Sequence, residues 1–222
     1  MKALGLIEVY SFTTALTVAD IAAKAADVRV IAFDRNRPLS PDVPAPLVMV
    51  VKIEGSVSAV EAAVEAGSGY AKDEGKYIVS HIIPHPDDQA EKMAYLLDIN
   101  RDKFNKRLPK NMIGVNAPEY KNKKAIGIFE ITGMVAAVTA LDAMTKAAEV
   151  KIIHTEKRLG GRLVTLVVSG EVSAVNASLE AAAQMAAPLG KIYGINCIPS
   201  PHNELMKFFD VSEDGGEEKT KK

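Results

Sequence analysis

The chain has 222 residues, 48% of them apolar but only 5% aromatic with no tryptophan, and a formal net charge of −1. That balance gives no field to gather nucleic acid or an anionic membrane surface, and runs such as LVMVVKI fall well short of the roughly 20 apolar residues that span a bilayer. A single cysteine, Cys197, excludes an intrachain disulfide and fits a reducing cytosol, and Met1-Lys2 leads into a strand-like run with no secretory leader expected.

In chain order, Leu4, Ile7 and Val9 in LGLIEV predict a first strand. Thr17 opens a predicted helix, TVADIAAKAA, whose Val18, Ile21, Ala22 and Ala25 form a small-residue stripe suited to close packing on a sheet. Val28–Phe33 and Leu47–Ile53 predict two more strands. Ser56 is the expected N-cap of a helix with Ala59 at its third position, running to Gly67 as its stop. Tyr77–Ile83 predicts a last strand, ended by Pro84 and Pro86. From Asp87 to Lys124, Met93, Leu96, Leu97 and Phe104 predict a helix, followed by a polar, proline-bearing connector. The same order then recurs over Ile126–Ile131, Thr139–Ala148, Val150–Thr155, Leu163–Val168, Val172–Ala186 and Lys191–Ile198. The charged, glycine-bearing tail after Phe209 is expected to stay disordered.

The recurrence is written in the residues themselves. Ala3–Ala32 and Ala125–His154 share 11 of 30 positions, including Gly5/Gly127, Glu8/Glu130, Asp20/Asp142 and Lys24/Lys146. Gly55–Pro86 and Gly170–Pro201 share 14 of 32, so the chain is two copies of one small unit. The offset falls from 122 to 115, which places seven extra residues in the first copy between Phe33 and Leu47. Each copy reads β-α-β-β-α-β, the α+β arrangement of ferredoxin-like domains. The expected division is 1–87, a linker with a helix over 88–124, 125–209, and a tail over 210–222.

Three strings carry a resemblance: EKRLGGRLVTLVVSGEVSAVNAS, GINCIPSPHNEL and the LTVADIAAKAADV-type first helix. With these the chain resembles the shell-protein domain of bacterial microcompartments, in the tandem form with two unpermuted domains. The resemblance implies a homotrimer whose six domains imitate a flat hexagon with a central pore for small metabolites. It implies other shell proteins and encapsulated enzymes as partners, a place in the shell in the bacterial cytoplasm, and no cofactor, metal or catalytic residue. The implied pore lining is the loop between the second and third strands. In copy one it includes Arg35, Arg37, Pro38, Leu39, Ser40 and Pro41; in copy two, Leu159, Gly160, Gly161 and Arg162. Glycines let a backbone approach an axis, arginines favour anions, and the prolines of copy one stiffen its loop. Lys24 and Lys146 match the lysine at the tile-to-tile seam. His85 and Ser200 stand where the family's edge turn usually has arginine.

Other chemistry is thinly supported. His81, His85, His154 and His202 show no metal-type spacing, and Cys197 reads as a small buried thiol in the last strand rather than a cluster ligand. Glu8 and Glu130, or Asp20 and Asp142, have the chemistry of acid–base pairs, but their recurrence in both copies points to helix capping or subunit contact. The competing function is a trimeric ferredoxin-like ligand-binding regulator; an enzyme at the repeat interface lacks any nucleophile–base constellation.

Overall fold

The computed structural model describes residues 2–38, 40, 42–87, 124–156 and 162–209. The predicted linker helix and the tail therefore lie outside the described residues. The first unit runs β1 (Ala3–Tyr10), α1 (Phe12–Ala25), β2 (Val28–Asn36), β3 (Val48–Gly55), α2 (Val57–Asp73) and β4 (Tyr77–Ile83). The second repeats it as β5 (Ala125–Thr132), α3 (Met134–Ala147), β6 (Val150–Glu156), β7 (Leu163–Gly170), α4 (Val172–Ala186) and β8 (Ile192–Ile198), followed by a short α5 (Asn203–Met206). Each unit has a four-stranded antiparallel sheet, ordered β2-β3-β1-β4 and β6-β7-β5-β8.

Alternation of side chains along a strand gives each sheet two faces. In the first unit Ile7, Val9, Met49, Val51 and Ile53 face α1 and α2, which supply Ala15, Ala19, Ala22, Val60 and Ala63 to one buried cluster. In the second, Phe129, Ile131, Val164, Leu166 and Val168 meet Ala136, Ala140, Met144, Val175 and Leu179 of α3 and α4. The alanine stripes let the helices lie close to the sheets, as the small-residue periodicity predicts.

Three helix boundaries differ from the sequence reading. α1 and α3 begin at Phe12 and Met134, five residues before Thr17 and Thr139. The turn into each is made by a residue at positive φ, Ser11 at 76° and Gly133 at 94°. A helix started by a backbone kink and by a cap from elsewhere leaves no local capping signature to read. α2, in turn, passes Gly67 and ends at Asp73. Gly67 packs against Ile7 and Val18 so closely that a Cβ there would lie 3.0 Å from each. It is a contact point, not a stop. Ser56 caps α2 as expected, accepting from Ala59 N at 3.3 Å.

The two units are joined by one sheet laid on the other unit's helix. The face of the second sheet away from α3 and α4 carries Ile126, Ile128, Leu163, Val167 and Ile198, and all five join the first unit's core cluster. Fully burying such side chains contributes roughly 1.5–3 kcal/mol each, so this contact is part of the fold rather than a loose docking. α5 extends it: Phe208 meets Phe33 edge-on at 4.9 Å, and Leu205 and Met206 are buried.

Candidate functional site

The first β–β loop leaves β2 at Asn36 and is pinned at both ends. Arg35 and Asn36 still pair with Met49 and Val48 in the ladder, and Asn36 Oδ1 accepts from Arg37 N at 2.8 Å. Ala45 and Leu47 are buried and anchor the return. Between these anchors Arg35, Arg37 and Ser40 are exposed and Pro38 is half-buried. Two arginines on a loop stiffened by Pro38 and Pro44 form a cationic projection. Leu39 and Pro41 lie outside the described residues, as do Leu159, Gly160 and Gly161 of the second loop.

That second loop is described only at its ends. Glu156 is buried at the close of β6, and Arg162 opens the way into β7 with φ of 62°. The Arg162 carbonyl accepts from Gly133 N at 2.8 Å, as Leu47 O does from Ser11 N at 3.0 Å. The Arg162 guanidinium stands over Gly133, with Nη2 3.7 Å from the point a Cβ would occupy. Its side chain thus sits beside the start of α3.

The predicted edge residues divide into two kinds. Lys24 and Lys146 each close an i,i+4 ion pair, with Asp20 at 2.5 Å and Asp142 at 2.7 Å, the acid lying N-terminal to the lysine in the favourable order. Lys146 is fully at the surface, whereas Asp20 is buried and also accepts from His202 N at 2.6 Å. His85 and Ser200 are exposed between prolines at the ends of their sheets. Lys24 and Lys146 belong to helices; His85 and Ser200 belong to strand ends.

Glu130 ties the two units together. Fully buried, it receives Ser11 Oγ at 2.5 Å, Thr13 N at 3.1 Å and Phe12 N at 3.3 Å. A carboxylate from the second unit is therefore the N-cap of α1 in the first, placed where the helix dipole and its free N–H groups favour negative charge. Nearby, Asn196 Nδ2 donates to Thr17 Oγ1 at 2.8 Å and Lys76 Nζ to Tyr193 O at 2.9 Å. Glu204 accepts from Val30 N at 2.8 Å and from Lys207 Nζ. Recurrence of Glu8/Glu130 and Asp20/Asp142 had pointed to capping or contact, and Glu130 and Asp20 do both. Glu130 is held by three donors from the first unit.

The remaining candidates are structural. Cys197 is half-buried and free, its thiol pushed up by burial. The His154 ring lies against Phe209, tilted by 50° with centroids 5.5 Å apart, and His202 Nδ1 accepts from Glu204 N at 3.1 Å. Among the described residues no three His, Cys, Asp or Glu converge on a metal-sized site, and no helix is long and apolar enough to cross a membrane.

Two equal units joined side by side, with a structural carboxylate at the joint, match what sequence comparison finds. The BMC domain profile matches residues 3–86 and again 125–201. The chain is a tandem BMC-domain protein. It is 33% identical over 204 residues to the carboxysome assembly protein CcmO of Synechococcus elongatus, covering 92% of this chain and 67% of that one. The microcompartment shell protein EutM of Salmonella typhimurium is 40% identical over 92 residues, 41% of this chain and 95% of EutM. PduA of Citrobacter freundii, another microcompartment shell protein, is 40% identical over 85 residues, 38% of this chain and 90% of PduA. The two single-unit relatives are thus each matched nearly whole by less than half of the tandem BMC chain. The ferredoxin-like regulator reading is not favoured by these relatives.

Proposed function

We propose that this tandem BMC chain is a structural tile of a bacterial microcompartment shell in the cytoplasm, assembling with other shell proteins and enclosing enzymes without catalysing a reaction itself. The observation that carries the reading is the domain match over both units, set on a head-to-tail joint in which one unit's sheet covers the next unit's helix. A joint of that kind is heterologous, and repetition of it closes into a ring when the rotation allows. Three chains supply six units, so a homotrimer imitates a hexagon.

In this tile the two β–β loops converge on the axis. The first contributes Arg35, Arg37, Pro38, Leu39, Ser40 and Pro41, the second Leu159, Gly160, Gly161 and Arg162. Three copies of the two arginines surround the opening with positive charge, which favours small anionic metabolites over cations. Lys24, Lys146, His85 and Ser200 lie toward the rim, where tile meets tile.

Electron microscopy of the purified chain tests the reading. Flat hexagon-like particles with a central depression, alone or in sheets, are expected; particles the size of one chain at every concentration would contradict it. Arg35→Glu with Arg37→Glu is expected to leave the particle outline intact while reversing its ion preference in a permeability assay.

A further inference from the structure

The hook that follows β8 holds the second unit on the first, and an imidazole sits at its base. Residues 202–209 carry α5, whose Leu205 and Met206 are buried. They end on Phe208 and Phe209, which meet Phe33 of β2 and His154 of β6. His202 is bound through both its backbone and its side chain. Its N–H donates to Asp20 of α1 at 2.6 Å, and its Nδ1 accepts from Glu204 N at 3.1 Å as the N-cap of α5. Glu204 in turn presents its buried carboxylate to Val30 N on β2 at 2.8 Å and to Lys207 Nζ. The cap thus orients the residue that reaches β2, the edge strand of its sheet.

An imidazole accepts a hydrogen bond only at an unprotonated nitrogen; in the charged ring both nitrogens are donors. We propose that His202 makes this hook a pH-sensitive latch, closed by the neutral imidazole and released when Nδ1 takes a proton. Protonation leaves two donors, Nδ1–H and Glu204 N–H, facing each other. It also sets a cation at the positive end of a helical turn.

The surrounding charges do not reverse this. From α1, Asp20 faces the base of the hook, but its carboxylate already holds Lys24 at 2.5 Å. Within α5, Glu204 holds Lys207. On β2, Arg29 is held by Glu54, which also binds Lys2 at 3.3 Å. On β6, His154 faces the far end of the hook at Phe209. Among the described residues each of these carboxylates has a cation, so an imidazolium adds positive charge to a balanced set.

A proton taken by the open hook and refused by the closed one pulls the hook open. The latch is therefore at full strength above neutral and weakens as the pH falls through the ordinary histidine value of about 6.5. Release uncovers Leu205, Met206 and Phe209 and frees Val30 N–H on an edge strand, where other chains can pair. The device lies within one chain and stands apart from the reading of the chain as a tile.

Hydrogen exchange of the full chain tests the latch, with mass spectrometry of peptides spanning 203–209 and of peptides from β1 and β3 as reference. After correction for the intrinsic rate, protection of the hook relative to the reference is expected to fall about tenfold between about pH 7.5 and about pH 5.5. His202→Asn keeps a capping acceptor that does not titrate, and its hook should stay equally protected at both. His202→Ala should be weakly protected at both, and His154→Gln should respond as the parent does. The reference peptides report the fold of each variant. A parent hook equally protected at both pH values overturns the latch. So does a pH response that survives in His202→Asn or disappears in His154→Gln.

Discussion

Glu130 shows how one side chain ties two units together. Its carboxylate satisfies two backbone donors at the head of α1 and the hydroxyl of Ser11. Ser11 itself sits at φ of 76°, a conformation that costs an L-residue about 1–2 kcal/mol, and the buried hydroxyl–carboxylate bond offsets that cost. Glu130→Ala strands these donors and is expected to destabilise the chain by about 3 kcal/mol or more. Ser11→Ala, keeping the backbone cost and losing the bond, should cost about 2 kcal/mol. Denaturant unfolding followed by circular dichroism reads both. Lys207 gives a pH signature. Desolvation holds its ammonium below the ordinary value of 10.5, and the attraction of Glu204 only partly opposes this. Between that lowered value and 10.5 the unfolded chain binds more protons than the folded one, so this group's contribution to stability rises with pH through the window. Below it the burial cost is present in full. Tyr70, pushed up by burial, works oppositely, but only once the pH passes its ordinary 10.0. Lys207→Met is expected to flatten the rise on the alkaline side of neutral, measured as the unfolding midpoint against pH.

At the scale of elements, α5 and the residues after it bind the second unit back onto the first. Phe209 is buried beside His154 while Phe208 meets Phe33. Phe209→Ala removes a large buried side chain and should cost about 3 kcal/mol, with the loss read by thermal unfolding. None of this was legible beforehand, because α5 has only four residues and its cap, His202 Nδ1, is a weak sequence signal. The strands were legible for the opposite reason. Val28, Val30, Val48 and Val51 sit in β-branched runs bounded by Gly55 and prolines, and the repeat let each copy check the other. The helix starts at Phe12 and Met134 were not legible: the group that caps α1 lies more than a hundred residues away, and no local pattern records it. The candidate loops were singled out by Gly160-Gly161 and the prolines, whereas the position of the Arg162 guanidinium over Gly133 is set by backbone conformation and is not written in the string RLGGR.

For the whole molecule, the duplicated unit explains why so plain a composition suffices. A unit of this size buries limited apolar surface alone, and laying one sheet on the neighbour's helix recovers more of it. Within one chain that happens once. Among the described residues it leaves Met134, Val135 and Val138 of α3 exposed, where their counterparts in α1 are buried. On the proposed reading, copies of the chain close on one another as a threefold ring.

Native mass spectrometry tests that closure most directly. The account predicts a dominant species of three times the 23.8 kDa chain. A stable single chain, or a two-fold dimer, would contradict it.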